Sequence, residues 1–162
     1  MIKIFRIIIL VLWMLVIFTF SQSNGEKSSG RSIGILKNIV TNISDGLYKI
    51  KLIKEPISDA KVQKIANNLN YPARKIMHMS EYFILALLIY NVLVLYGIKK
   101  IYLITFVLSV LYAISDEIHQ LFTSRTCSII DVLVDSIGIL VALFFIYSVN
   151  KLKIRRVKHS NI

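Results

Sequence analysis

The run Tyr112-Ala113-Ile114-Ser115-Asp116-Glu117-Ile118-His119-Gln120, with Arg125, Asp131 and Asp135 after it, places ionisable residues at the adjoining ends of two long apolar segments. Charged side chains facing lipid are costly, so a chain that keeps several of them at the ends of membrane-length segments turns them toward a shared polar interior. Asp116 and His119 lie three residues apart and Asp116 and Gln120 four, so one helix face presents all three if the helix continues through them. Glu117 sits one step around that helix, where it is expected to cap it, to pair with Arg125, or to join the site from a distorted turn.

Outward from this run, the apolar residues fall into four blocks, at about 4–20, 76–97, 101–115 and 129–147. The chain has 162 residues, 56% of them hydrophobic, with a mean hydropathy of +0.66, and such long blocks are unlike the spaced apolar positions of a soluble core. The expectation is an all-α integral membrane protein, a four-helix bundle formed as a single domain. The first block, Ile4 to Phe20, includes Trp13 and extends about 25 Å as a helix, which a locally thinned bilayer accommodates. Its basic start and apolar centre also suit a signal peptide, but no Ala-x-Ala-like site follows, so a retained membrane helix is expected. The single cysteine, Cys127, excludes an internal disulfide framework and a multi-cysteine zinc site, and is read as a small buried thiol near a helix end.

Residues 21–75 form a long polar interval with helical periodicity inside it. Ile33, Leu36, Ile39, Val40, Ile43 and Leu47 recur at helical spacing among lysines and asparagines, the pattern of an amphipathic helix along the membrane surface or over the bundle. A second short helix is expected from about Ser58, with Val62, Ile65, Ala66 and Leu69 on one face. Pro56 and Pro72 are read as its bounds, Pro72 marking a fresh start for the next helix. Both amphipathic helices are expected to be structural covers.

The next membrane segment carries Arg74, His78, Glu81 and Tyr82 in its first turns, at spacings that stack them along one side, and is almost wholly apolar from Phe83 to Tyr96. The last segment carries Asp131 and Asp135 on one face, with Gly138 nearby to admit another helix closely.

The distribution of the +11 net charge says more than its size, with basic residues in short flanks: Lys3 and Arg6 before the first block, Lys99 and Lys100 between two others, and Lys151, Lys153, Arg155, Arg156 and Lys158 in the tail 151–162. The positive-inside rule puts these flanks, and both termini, in the cytoplasm. Ser21, Gln22, Arg74 to Tyr82, Asp116 to Arg125, Asp131 and Asp135 then meet on the outer side, and 21–75 is an extracytoplasmic loop. That interval holds ten Lys or Arg against four acids, but long loops obey the charge rule poorly. A basic folded face or module for nucleic acid is absent from the pattern, and the basic tail suits anionic headgroups of the inner leaflet.

Arg74 and Arg125 offer forked donors to phosphate or carboxylate, joined as substrate contacts by Gln22, Gln120 and Tyr82. His78 and His119 exchange protons near neutral pH, and Asp116, Asp131 or Asp135 can orient an imidazole. The reactive set read from this is His119 with Asp116, and His78, supported by Ser21, Glu81, Glu117, Asp131 and Asp135. Such a membrane-interface site suits a lipid-linked phosphate or isoprenoid-linked cell-wall precursor, its head in water and its tail in lipid. No cofactor is expected. A divalent metal is the rival occupant, although there is no His-Glu-x-x-His arrangement. Enzyme, binding protein and scaffold all remain open, as does the oligomeric state.

The motifs also occur in a particular order: Phe20-Ser21-Gln22-Ser23 with Gly25 and Ser28; Arg74-Lys75-x-x-His78-x-x-Glu81-Tyr82; Ser115-Asp116-Glu117-Ile118-His119-Gln120; then Arg125, Asp131, Asp135 and Gly138. In order and spacing the set resembles the VanZ-like family, from Trp13 to the last helix. The resemblance implies a bacterial membrane protein involved in teicoplanin resistance, with a lipoglycopeptide among its candidate ligands. The chain departs from the family where members have a Pro-Gly-Arg-x-Gly turn. Here Thr123-Ser124-Arg125-Thr126-Cys127 keeps only the arginine, and the loss of two glycines changes the freedom of a loop at a substrate entrance.

Overall fold

The computed structural model describes residues 1–21, 25–120, 122 and 129–160, with side chains omitted at 25–28 and 156–160. The fold is all-α: α1 (Ile2–Ser21), α2 (Gly25–Lys49), α3 (Asp59–Leu93), α4 (Ile101–Gln120) and α5 (Ile129–Ser160), with a 3-10 turn at Val94–Tyr96. The chain forms two compact units, Met1–Gln22 with His78–Ile162, and Ser23–Met77, and α3 runs through both.

In the first unit, α4 packs through a small and polar face and leaves its large apolar residues outside. On α4 the buried residues are Thr105, Ser109, Ala113, Asp116, Glu117 and Gln120, at helical spacing, while Leu103, Val107, Leu111, Ile114 and Ile118 are exposed. That polarity is inverted relative to a water-soluble protein and suits a lipid surround, where packing rather than apolar burial joins helices. The Thr105 and Ser109 hydroxyls donate to carbonyls four residues back, both at 2.8 Å, so neither is left unsatisfied in the core. Four helices, α1, α3, α4 and α5, are long and apolar enough to cross a membrane. Their shared core comprises Ile17, Tyr82, Leu85, Ala86, Ile89, Ala113, Ile139 and Ala142.

Contacts at one end of this unit establish its up-and-down topology. Arg6 Nη1 donates to the Asn91 carbonyl and Oδ1 at 3.0 and 2.9 Å, and the Lys3 ammonium lies 5.6 Å from the Tyr96 ring centre. Asn150 Nδ2 reaches the hydroxyls of Tyr90 and Tyr102 at 2.8 and 3.2 Å. The start of α1 thus meets the end of α3, the start of α4 and the distal part of α5. Gly97 (φ 60°) ends the 3-10 turn in the left-handed region, so α4 can reverse direction after four intervening residues, 97–100.

α5 approaches α3 closely at Gly138. A Cβ there would lie 3.0 Å from the Met79 Cα and carbonyl carbon and nearer still to its oxygen, so the absence of a side chain is what permits the contact. The role read for Gly138 in the sequence is the one it plays.

In the second unit, α2 pairs with the first half of α3. Val62 and Ala66 are buried, Ile65 is half-buried and Leu69 exposed. The Ile57 N–H donates to the buried Ser44 hydroxyl at 2.7 Å; Ser32 donates to Asn70 Oδ1, and Asn70 Nδ2 donates to Ser29 at 2.6 Å. Ser58 precedes α3 and its carbonyl accepts the Val62 N–H at 3.0 Å, with Asp59 favourably placed at the positive helix start.

Three boundaries differ from the sequence reading. Pro72 lies inside α3 rather than between two helices. An interior proline loses one backbone bond and crowds the preceding turn, but Asn70 anchors the helix before it and the Tyr82–Ile89 core holds it after, which outweighs that local cost. The helix expected to end at 115 continues to Gln120, and the one expected to end at 147 continues to Ser160. In both, polar residues extend the helix beyond its apolar stretch, so hydropathy underestimates it.

Candidate functional site

α1, α3, α4 and α5 bring one polar end together. Ser21 closes α1; His78, Glu81 and Tyr82 follow on α3 at spacings of three and four; Asp116, Glu117, His119 and Gln120 occupy the last turns of α4; Asp131 and Asp135 occupy the first turns of α5. Ser21, Tyr82, Asp116, Glu117, Gln120 and Asp135 are buried, Tyr82 completely. Of the three places open to Glu117, the structure has it inside: only 4% of its surface is accessible, because α4 presents 113, 116, 117 and 120 inward as one broad face.

The cluster is held by specific contacts. Gln120 Nε2 donates to Asp116 Oδ2 at 3.1 Å. His78 Nδ1 lies 3.5 Å from Glu81 Oε2 on the same helix. The Trp13 indole donates to the Glu81 carbonyl at 3.1 Å, and the Tyr112 hydroxyl donates to the Met14 carbonyl at 2.7 Å, tying α1 to α3 and α4 just below the site. The His119 ring lies against Phe18, with ring centres 4.3 Å apart.

Electrostatic neighbours show how the turns converge. Asp116 has Ser21, Gln120, Glu117 and His78 around it; Asp135 has His78, Glu117, Asp116 and Glu81; the Tyr82 hydroxyl has Asp116, Asp135, Tyr112 and Glu81. His78 is therefore the histidine common to both buried aspartates. Among the described residues His119 makes no hydrogen bond to Asp116, whose oxygen is taken by Gln120. Four buried atoms, Tyr82 Oη, Asp116 Oδ1, His119 Nδ1 and Asp135 Oδ1, have no hydrogen-bond partner among the described residues. Buried polar atoms are ordinarily satisfied, so these four are the open hydrogen-bonding positions of the cluster among the described residues.

Not every residue singled out from the sequence is placed here. Arg74 lies on α3 in the second compact unit, half-buried. Asp131 is half-buried in the first turn of α5. Arg125 and Gln22, like Cys127 and the turn around it, lie outside the described residues. Among the described residues no group of three or more His, Cys, Asp or Glu is arranged to hold a metal ion.

Sequence reading missed the positioning residues Trp13 and Tyr112 and the Tyr90–Asn150–Tyr102 contact at the opposite end. Their signal was present: each is a hydrogen-bonding side chain within or beside an apolar run, and such groups seek partners when buried. Only the fold shows which partners.

Fold and site together define a multi-pass helical membrane protein with an acidic, histidine- and tyrosine-containing cluster buried at one end of its bundle. The chain belongs to the VanZ/LLP1 family, whose model matches residues 5–150. The match spans α1 to the distal part of α5, including every cluster residue named above. No curated protein and no solved structure matches the chain.

Proposed function

We propose that this protein is a bacterial plasma-membrane protein that recognises the polar head of a lipid-linked cell-wall precursor or of a lipoglycopeptide at the outer membrane interface, and so contributes to teicoplanin-type resistance. The observation that carries the reading is the gathering, at one end of a membrane bundle, of four buried polar atoms, on Tyr82, Asp116, His119 and Asp135, that have no hydrogen-bond partner among the described residues. A network serving only helix register would satisfy its own polar atoms. A headgroup with both donors and acceptors would complete these, while its hydrocarbon tail remains along the apolar outer faces. Both termini are cytoplasmic in this reading, since Lys3, Arg6, Lys99, Lys100, Lys151 and Lys153 flank the opposite end of the bundle.

Purified protein incubated with a panel of lipid-linked cell-wall intermediates and lipoglycopeptides tests the reading, comparing the native chain with Asp135→Asn, His119→Ala and Arg125→Ala. Saturable binding weakened by these substitutions is expected, and product formation lost with His119→Ala would add turnover to recognition. Absence of binding across the panel, with the substitutions changing only folding, would leave a structural network and sink the proposal. Orientation is checked separately by cysteine probes at Gly25, Lys99 and Ser160, of which only the first is expected to label from outside.

A further inference from the structure

α2 has more apolar surface than its own unit covers. At 3.6 residues per turn its apolar residues divide into two adjoining sectors. Ile33, Leu36, Val40 and Leu47, with buried Ser44 among them, form the covered sector. Ile35, Ile39 and Ile43 form the second, continued by Ile50 just past the helix, and these are 60%, 47%, 56% and 65% exposed. Arg31, Asn38, Asn42, Asp45 and Lys49 lie on the far side of that stripe and are also exposed.

At the end of the stripe lies an open concavity of about 440 Å³, lined by Tyr48, Lys49, Lys51, Ile53 and Lys54. None of the lining residues is acidic. Lys51 there has φ 59°. It ends α2 in a Schellman arrangement, the Leu52 N–H donating to the Leu47 carbonyl at 3.0 Å and the Lys51 N–H to the Tyr48 carbonyl at 2.9 Å. This is the position glycine favours, because an L side chain is strained in the left-handed region. The Lys51 side chain lies on the rim of this basic cavity beside Lys49 and Lys54.

The surroundings select the partner. The chain enters this unit from α1 and leaves it along α3, both able to cross a membrane, so a lipid surface is always at hand. Residues 23–77 hold ten Lys or Arg against four Asp or Glu, the charge complement of an anionic leaflet. An exposed isoleucine stripe beside cationic side chains is the composition of an interfacial helix.

We propose that the Ser23–Met77 unit docks on anionic phospholipid: the Ile35–Ile39–Ile43 stripe lies at the acyl boundary, and the Lys49–Lys51–Lys54 cavity takes a phosphodiester headgroup. The test uses the full chain, with Cys127→Ser, in nanodiscs of phosphatidylcholine containing a graded share of phosphatidylglycerol. A fluorophore at Ile39→Cys, or at Asn38→Cys as the polar-side control, is read against phospholipids carrying a nitroxide near the headgroup.

Ile39 is expected to be quenched and Asn38 spared, with quenching that rises with phosphatidylglycerol. Each lysine removed as Lys49→Gln, Lys51→Gln or Lys54→Gln is expected to weaken that response about fivefold. Lys51→Gly relieves the backbone strain and should raise thermal stability while weakening the lipid response to the same degree, which separates headgroup binding from misfolding. Quenching at Ile39 that is equal in pure phosphatidylcholine, or indifferent to all the lysine substitutions, would overturn the proposal. So would an Ile39 probe that stays in water in every lipid, or the same response to inorganic phosphate with no anionic lipid present.

Discussion

The contact between Gly138 and the Met79 backbone is predicted to be what holds the acid-bearing turn of α5 against α3, and Gly138→Ala tests it. The added Cβ would lie 3.0 Å from the Met79 Cα and carbonyl carbon, and nearer to the oxygen, where ordinary contact begins at 3.4 Å. Backbone cannot rotate aside as a side chain can, so α5 must withdraw from α3. Overpacking of this kind costs about 1–3 kcal/mol. Alanine in a helix recovers about 1 kcal/mol relative to glycine, so the net loss expected is up to about 2 kcal/mol. The withdrawal would also loosen Ile139 and Ala142 against Tyr82, Leu85 and Ala86 in the shared core.

Gly34→Ala on α2 is the matched control, since nothing lies within 4 Å of a Cβ built there. The same chemical change should then stabilise by about 1 kcal/mol through helix propensity alone. Unfolding in one detergent, followed by circular dichroism, compares the two, and amide exchange along α3 and α5 locates the effect. If Gly138→Ala stabilised the protein as Gly34→Ala does, with exchange in α3 unchanged, the close-approach argument would be refuted.

Three further predictions rest on other contacts. Because α3 is continuous through Pro72, Pro72→Ala should raise stability by as much as about 3 kcal/mol, whereas a proline separating two helices would give no such gain on thermal unfolding. Asn150→Ala removes the donor shared by Tyr90 and Tyr102 and should cost about 1–2 kcal/mol, measured by denaturant titration; a value near zero would mean that the two tyrosines hold the basic end unaided. Ser44→Ala leaves the Ile57 N–H without its acceptor and should cost about 1–2 kcal/mol, seen as faster amide exchange at Ile57 and in the opening turn of α3.

Much of the site was legible in the sequence because helical spacing is local. Asp116 with Gln120, and His78 with Glu81, are neighbours by their separation along a helix, and both pairs form. What spacing does not contain is rotation. Glu117 and His119 are each within a few residues of Asp116, yet the turn of α4 that buries Glu117 leaves His119 half-buried against Phe18, and His78 is the histidine that acts electrostatically on both aspartates.

The class of this protein is readable from its residues alone. Blocks of apolar residues long enough to cross a bilayer, broken by polar turns and flanked by lysine and arginine, leave the backbone only the helix as a way to satisfy its hydrogen bonds in lipid, so four such helices follow. What those helices share depends on how they pack. The continuity of α3 through Pro72 depends on contacts on both sides of a residue that locally disfavours helix. The split of α2's isoleucines into a covered and an exposed sector depends on how much of it α3 can reach. The close approach of α5 to the Met79 backbone of α3 depends on a missing side chain at Gly138, since the distance between two helices is set by the atoms between them and not by the order of residues along either one.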